Sequence, residues 1–243
     1  MSSAKVWLVT GASRGIGLAI AERALAAGDR VAVLARGVIV HEIAERLGEN
    51  CIGLQADVGD SEQVCTAVEA LLERWGRLDV VVNNAGAHRG GKIERLALSD
   101  WQTVLDTNLT GAMNVIAASS PHLESGASVI NIGAVVGFRG FPGDSAYAAS
   151  KAGVAGLTRA LAIELAPREI SVNLVIPGLV LTEMTGALSE KALESMRRKI
   201  PMGRYGEPDE IAEVVEWVAR SRYVTGAHIP ADGGLLSSFG VVG

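Results

Sequence analysis

The stretch that decides the fold is VWLVTGASRGIG, residues 6–17. Its first four residues are apolar, and glycines follow at positions 11, 15 and 17. An alanine- and leucine-rich amphipathic segment then continues to Gly28. A short apolar run, a glycine-rich turn and an amphipathic segment, in that order, predict a strand, a tight turn and a helix.

The same order of elements repeats along the rest of the chain. Further strands are predicted at 31–34, 51–55, 80–82, 128–132, 171–176 and 227–230, and further helices at 39–47, 61–75, about 100–119, 145–166, 190–199 and 210–220. Such alternation predicts an α/β fold: a doubly wound, Rossmann-type parallel sheet of about seven strands with helices on both faces. Since no linker divides the chain, residues 1–243 are interpreted as a single domain.

Composition argues against several classes of protein. The net charge is -5 and no cluster of Lys and Arg is present, which argues against a nucleic-acid partner. No apolar run approaches the roughly 20 residues of a membrane span, and no secretory apolar segment follows the N-terminus. Cys51 and Cys65 form no C-x-x-C pair and lie near no His cluster, which predicts reduced thiols and no metal site. We therefore expect a cytoplasmic protein that does not bind membranes.

The glycines of the first turn favour a bound pyrophosphate. Glycine lets the backbone approach a phosphate that lies at a helix N-terminus, where free N–H groups and the helix dipole attract anions. A plain glycine-rich turn between a strand and a helix is the alternative. The position directly after the first strand favours nucleotide binding.

The end of the second strand indicates which dinucleotide is bound. About 20 residues after the glycines, an acidic residue usually binds the ribose 2′-hydroxyl, but here Ala35 and Arg36 occupy that place. Together with Arg14, Arg36 could bind a 2′-phosphate, which favours NADP(H) over NAD. The alternative is that either Arg is a solvated residue at the end of a strand.

Tyr147 and Lys151 lie four residues apart in a predicted helix, which places them on the same helix face. A cation beside a phenol favours the phenolate and lowers its pKa, so the pair could exchange protons near neutral pH. Because this spacing is common on solvated helix faces, the neighbouring motifs decide its meaning.

In chain order, these motifs resemble the short-chain dehydrogenase/reductase family over nearly the whole sequence. The resemblance rests on Thr10 to Gly17, Asn83 to Gly86, Asn108, Tyr147 to Lys151 and Pro177-Gly178. Within the family, residues 203–212 and 226–234 are similar to those of the 3-oxoacyl-acyl-carrier-protein reductases and their ketoreductase relatives.

The resemblance implies an NADP(H)-dependent reductase of 3-oxoacyl thioesters or similar ketones. It implies that Tyr147 donates a proton, that Lys151 binds the nicotinamide ribose and lowers the Tyr147 pKa, and that Asn108 anchors a water in a proton relay. Asn108 alone would more often be a satisfied polar residue of the core. The implied cofactor residues are Gly11, Ser13, Arg14, Gly15, Ile16 and Gly17 (pyrophosphate and adenosine ribose), Asp57 and Val58 (adenine), Asn84, Ala85 and Gly86 (ribose side), Val180 and Thr182 (nicotinamide), and Arg36, Tyr147, Lys151, Pro177 and Gly178.

The resemblance also implies a homotetramer and a substrate lid around residues 179–200. Family members pair two long helices between subunits, here about 100–119 and 145–166. The small apolar residues expected along that seam are Ala117, Ala118, Ala155 and Leu157. His88 follows the Asn-Asn-Ala-Gly turn and could reach the substrate entrance, although a histidine in a loop is usually just solvated.

One residue departs from the family pattern. The family places a Ser or Thr 13 positions before the Tyr, where its hydroxyl donates a hydrogen bond to the substrate carbonyl, and this chain has Ala134 there, preceded by Gly133. Three interpretations stay open: an inactivated or engineered copy, a cofactor site kept for another purpose, or slow turnover by the remaining groups. The functional alternatives are a non-catalytic NADP-binding protein and an alcohol or sugar dehydrogenase that works oxidatively.

Overall fold

The computed structural model describes residues 4–181 and 190–238. Strands and helices alternate as the sequence predicts. The elements are β1 (Val6–Thr10), α1 (Gly15–Ala26), β2 (Arg30–Ala35), α2 (Ile39–Leu47), β3 (Cys51–Gln55), α3 (Ser61–Trp75), β4 (Leu78–Asn83), α4 (Leu98–Leu105), α5 (Gly111–Ser119), β5 (Leu123–Ile132), α6 (Ser145–Leu165), β6 (Ser171–Pro177), α7 (Glu190–Arg197), α8 (Pro208–Arg220) and β7 (His228–Ala231).

Seven strands form one parallel sheet in the order β3-β2-β1-β4-β5-β6-β7. The chain builds outward from β1 to β3 and then returns to place β4 on the other side of β1. The strand order therefore reverses between β1 and β4, which is where ligands bind to open sheets of this kind. The predicted fold class is confirmed.

Helices cover both faces of the sheet, so the strands are almost wholly apolar. Trp7 and Val9 of β1 pack on one face with α1, α2 and α8. Leu8, between them, points to the other face and packs with α3, α5 and α6. Alternate residues of one strand thus contribute to two separate cores, and the sheet becomes a rigid support for the loops at its carboxyl edge.

The long helix predicted at about 100–119 is not continuous. A π-helical turn, Asp106–Thr110, separates α4 from α5. Such turns are rare and occur frequently at functional sites. This one contains Asn108, whose side chain is directed into the protein and is 3% exposed. The spacing of apolar residues does not reveal a single widened turn, so the sequence analysis did not predict this π-helical turn.

The predicted subunit seam is wrong at Ala155. That residue is buried and packs with Val135, Leu174 and Ile176 of its own chain. Ala118 and Leu157 also pack partly against the core of their own chain, which leaves Ala117 as the exposed member of the set. Among the described residues, none of the helices is long and apolar enough to cross a membrane.

Candidate active site

The first glycine turn is shaped by a close approach of backbone. Gly11 and Gly15 have φ angles of 64° and 56°, in the left-handed region that favours glycine. A Cβ atom on Gly11 would lie 2.7 Å from the Cα atom of Ala85, and one on Gly17 would lie 2.4 Å from Nδ2 of Asn84. The turn after β1 is therefore pressed against the turn after β4, across the point where the strand order reverses.

Hydrogen bonds join these two turns. The Asn84 side-chain amide donates to the carbonyl oxygens of Thr10 at 3.0 Å and Gly11 at 3.1 Å. In return, Thr10 Oγ1 accepts from the backbone N–H groups of Asn84 and Ala85, each at 3.0 Å. Asn84 and Ala85 were predicted to line the ribose, and the structure places them beside the glycine turn. The contribution of the Thr10 side chain was not predicted, because its partners lie more than 70 residues away.

The N-terminus of α1 fits an anionic group. The helix begins at Gly15, no side chain caps it, and no acidic residue lies in its first turn. Backbone N–H groups and the positive end of the helix dipole therefore face the carboxyl edge of the sheet, where they suit a phosphate. Ser13 and Ile16 are partly exposed at this edge and Arg14 is exposed.

Arg36 and Asp57 lie at the ends of the neighbouring strands β2 and β3. Arg36 Nη1 lies 3.9 Å from Asp57 Oδ2, and both side chains are more than 40% exposed, at 62% and 42%. An exposed pair of this kind contributes little to stability, so Asp57 does not block the Arg36 guanidinium from other anions.

Val58 does not reach the surface as Asp57 does. It is 3% exposed, its carbonyl accepts a hydrogen bond from Asn114 Nδ2 at 2.9 Å, and its side chain packs closely on Gly111. Its side chain therefore lies in the core after the end of β3, and the contact of Asp57 and Val58 with an adenine stays a prediction. Of the predicted adenine pair, the side chain of Asp57 is the one available to a ligand.

Asn108 links three parts of the site. Its Oδ1 accepts from the Ala87 N–H at 2.7 Å, and its Nδ2 donates to the Ala87 carbonyl and to Ser150 Oγ, each at 3.0 Å. Ser150 Oγ in turn donates to the carbonyl oxygen of Tyr147 at 2.7 Å. Both Nδ2 hydrogens are thus used, and Asn108 holds the loop after β4 against α6. Its role in a water relay stays a prediction.

Lys151 is buried and anchored to the end of β5. Its Nζ donates to the Ile132 carbonyl at 2.7 Å and lies 5.7 Å from the centre of the Tyr147 ring. Burial lowers the pKa of Lys151 to about 8. Tyr147 and Lys151 are therefore brought together as predicted, with the ammonium over the phenol ring.

The predicted direction of the Tyr147 pKa shift is wrong in this structure. Burial and, to a smaller extent, the negative charge of Asp144 raise the pKa of Tyr147 to about 12. Desolvation of the phenolate is the larger of the two causes. At neutral pH the group is a phenol that holds its proton, and it can still protonate an alkoxide, which is the stronger base.

Ala134 lies two residues after the end of β5 and leads into a short 3₁₀ turn, Val135–Gly137. Its backbone is extended and its side chain is partly exposed. Gly133 is different, because a Cβ atom there would lie 3.2 Å from Leu174 Cδ1 in the core. Position 134 is therefore the one that faces outward at the end of β5, and it offers only a methyl group.

The end of β6 closes the other side of the candidate site. A Cβ atom on Gly178 would lie 2.6 Å from the Cα atom of Asp232, so the chain after Pro177 passes directly beside the segment after β7. Val180 is buried and forms a bridge with Gly206. Residues 182–189, which include Thr182 and part of the predicted lid, lie outside the described residues.

His88 lies closer to Tyr147 than the sequence could show. Its Nε2 lies 2.9 Å from Asp144 Oδ1, and its ring meets the Tyr147 ring edge to face at 5.2 Å between centroids. The hydrogen bond to Asp144 raises the pKa of His88 above its ordinary value of 6.5. His88 was weighed as a candidate, but Asp144 was missed, since no motif links two loops 56 residues apart.

The chain belongs to the short-chain dehydrogenase/reductase family. The family model described as Enoyl-(Acyl carrier protein) reductase matches residues 11–236. This assignment makes the chain an oxidoreductase by family and agrees with the expected fold.

Relatives of known identity cover nearly the whole chain. The 3-oxoacyl-acyl-carrier-protein reductase FabG of Staphylococcus aureus is 40% identical, with 97% of this chain and 99% of that protein aligned. The enzyme of the same name from Thermotoga maritima is 42% identical, over 96% of this chain and 98% of its own.

Solved structures agree with the fold. A blue fluorescent protein from a metagenomic library, crystallised in complex with NADPH, superimposes with a TM-score of 0.90 at 36% identity, over 95% of this chain and 97% of that one. A dehydrogenase/reductase from Sinorhizobium meliloti gives a TM-score of 0.90 at 39% identity, over 96% of both chains.

Proposed function

We propose that the protein is an NADPH-dependent reductase of 3-oxoacyl thioesters or similar carbonyl compounds, with turnover weakened by Ala134. The observation that carries the proposal is the placement of Tyr147 beside the buried, anchored Lys151, next to the loop after β4. The names of the relatives that are 40% and 42% identical support the substrate class.

The proposed cofactor suits the residues at the carboxyl edge of the sheet. Bound NADPH would supply the hydride that reduces the carbonyl carbon. The N-terminus of α1 would bind its pyrophosphate, and Arg36, with no carboxylate at the end of β2, would bind its 2′-phosphate. The metagenomic relative that was crystallised with NADPH supports this choice.

Tyr147 would donate its proton to the carbonyl oxygen as negative charge develops there. Lys151 would hold the ribose and keep a positive charge near the phenolate that forms. Asn108, through Ser150 and Ala87, would fix the distance between the loop after β4 and α6. Tyr147 thus acts as the proton donor, and the other side chains act by positioning.

Ala134 favours a second candidate, a non-catalytic NADP-binding protein. In the proposed reaction a hydroxyl at this position would donate to the carbonyl oxygen, and removal of one such donor costs about 10²- to 10³-fold in kcat. Cofactor binding at Gly11 to Gly17, Arg36 and Lys151 does not depend on that hydroxyl. A cofactor-binding protein with little activity would therefore have the same cofactor site.

The substitution Ala134→Ser decides between the two candidates. Serine fits without strain, since Ala134 is extended and partly exposed. We expect ketone reduction with an acetoacetyl thioester, followed by NADPH absorbance, to rise by about 10²- to 10³-fold while the Kd for NADPH stays nearly constant. Ala149→Ser, which adds the same hydroxyl on the exposed side of α6, is the control.

Two results would contradict the proposal in different ways. Turnover of about 10 per second by the unchanged protein would mean that another group replaces the hydroxyl. If Ala134→Ser binds NADPH but stays inert with a panel of ketones, the non-catalytic candidate is the correct one.

We also propose that the protein is a cytoplasmic homo-oligomer, a tetramer or at least a dimer. Leu98 on α4 and Met113 on α5 are 78% and 44% exposed, and Ala117 is exposed one turn after Met113. Exposed apolar side chains on two successive helices support a contact between subunits there. Free Cys51 and Cys65 suit a reducing compartment.

A further inference from the structure

The loop after β4 and the segment before α6 are built against each other. The Gly91 N–H donates to the Gly143 carbonyl at 2.8 Å, and next to this bond His88 Nε2 lies 2.9 Å from Asp144 Oδ1. A Cβ atom on Gly90 would lie 3.3 Å from His88 Cε1, so glycine leaves room for the imidazole ring. The Asp144 side chain is only 18% exposed. This pair is therefore held in place by the backbone on both sides.

The pair lies directly against the proposed proton donor. The His88 ring contacts the Tyr147 ring edge to face, with an interplanar angle of 85°. Asp144 lies three residues before Tyr147, and its charge raises the pKa of Tyr147. A phenolate at position 147 thus forms beside a carboxylate, which disfavours it.

Within residues 4–181 and 190–238, Arg89 is the other charge that acts on His88. Arg89, in the same loop, lowers the pKa of His88 by repulsion, and its Nε lies 3.8 Å from Asp100 Oδ1 of α4. Lys151 faces the Tyr147 ring at 5.7 Å. Among the charges described near Tyr147, the protonated His88 is the one placed to neutralise Asp144.

We infer that His88 is a positioning residue for Tyr147, and that its positive charge offsets Asp144 so that Tyr147 can give up its proton. The inference rests on the proposed reductase function. In the reaction the Tyr147 O–H bond breaks, the proton passes to the alkoxide oxygen and a phenolate remains. That phenolate is tolerated while His88 is an imidazolium, and it is disfavoured once His88 is neutral.

The sign of the pH dependence follows. The bond to Asp144 keeps His88 protonated to a pH above 6.5. We expect kcat/KM for ketone reduction to fall by about three- to tenfold as pH rises through the His88 pKa. The fall is limited to this range because Tyr147 carries only part of a negative charge at the transition state. If the unchanged protein turns over too slowly, the same profiles are measured in the Ala134→Ser background.

Three variants separate charge from packing. His88→Gln keeps a hydrogen-bond donor but removes the charge, so kcat/KM should stay at the low, high-pH level at every pH. His88→Phe keeps the ring contact without the charge and should behave like His88→Gln. Asp144→Asn removes the carboxylate that raises the His88 pKa, so the fall should move to lower pH. Above that pH, His88→Gln should cost nothing further in the Asp144→Asn background. If kcat/KM of His88→Phe fell with pH as it does in the wild type, His88 would act only through packing, and the inference would be overturned.

An NMR titration that requires no turnover tests the inference separately from the proposed function. In protein labelled with ¹³C at the tyrosine Cζ, the Tyr147 signal, assigned with Tyr147→Phe, should show a step at the His88 pKa. The step should disappear in His88→Gln and move to lower pH in Asp144→Asn. If no step is found, the coupling is refuted, whatever the activity. If the step is present but no ketone is reduced, the reductase proposal fails and the coupling between His88 and Tyr147 stands.

Discussion

Replacement of Asn108 by Ala tests whether this residue holds the site together. The substitution leaves the Ala87 N–H and carbonyl without their side-chain partner, and both lie at a position that is 9% exposed. A buried polar group without a partner costs about 1–3 kcal/mol. Two such groups give a loss of about 2–6 kcal/mol, a large part of the roughly 5–15 kcal/mol that stabilises a typical domain.

The assay is equilibrium unfolding in urea, with the free energy of unfolding extrapolated to water. Ser150→Ala is the matched control, because it removes one bond to Asn108 and leaves both Ala87 groups paired with it. By the same rule that control, which leaves one Asn108 N–H without its partner, should lose about 1–3 kcal/mol, half of the loss expected for Asn108→Ala. Both variants are measured without cofactor, so that the result depends on folding alone.

A loss below about 1 kcal/mol in Asn108→Ala would refute the reasoning. It would mean that water or a small shift of the loop satisfies Ala87, and that the buried amide is retained for a different purpose. The water relay implied by the family resemblance would then be the better explanation of Asn108. A large loss would show that the residue is needed for the architecture, whatever else it does.

Three further predictions concern the cofactor and the assembly. Arg36→Asp should reverse a preference for NADPH over NADH in fluorescence titrations, and equal affinities before mutation would show that Arg36 does not bind a phosphate. Gly17→Ala should lower the Tm and abolish dinucleotide binding, since the new Cβ atom would lie 2.4 Å from Asn84 Nδ2, whereas Gly37→Ala, with its nearest atom at 3.6 Å, should behave like the wild type. Light scattering should give a multiple of the 25.2 kDa chain mass, and a monomer at micromolar concentration would contradict the proposed oligomer.

The fold could be predicted almost completely because its signals are local. Each strand is a short apolar run, and each helix shows apolar residues at helical spacing. Alternation of the two leaves few possible topologies. Gly11 and Gly17 were found because a turn between the first strand and first helix has a characteristic spacing. Tyr147 and Lys151 were found because one helical turn separates them.

The rest depends on contacts that sequence periodicity does not carry. The pKa of Tyr147 was predicted in the wrong direction because burial is a property of the folded chain, not of the neighbouring residues. Ala155 was placed on the wrong side of α6, because that helix has small apolar residues on several faces. Asp144 was missed for the same reason: its partner, His88, is 56 residues away.

The hydrogen bonds between Asn84 and the glycine turn have a consequence for the order of folding. Asn84 and the acceptor carbonyls of Thr10 and Gly11 are separated by 74 and 73 residues. A loop of that length must close before the first turn acquires its final geometry, and long-range closure is slow compared with local helix formation. During synthesis, residues 6–17 therefore leave the ribosome long before they can hold a ligand. We expect a nascent chain that ends before β4 to have no finished nucleotide site, however complete its first three strands are.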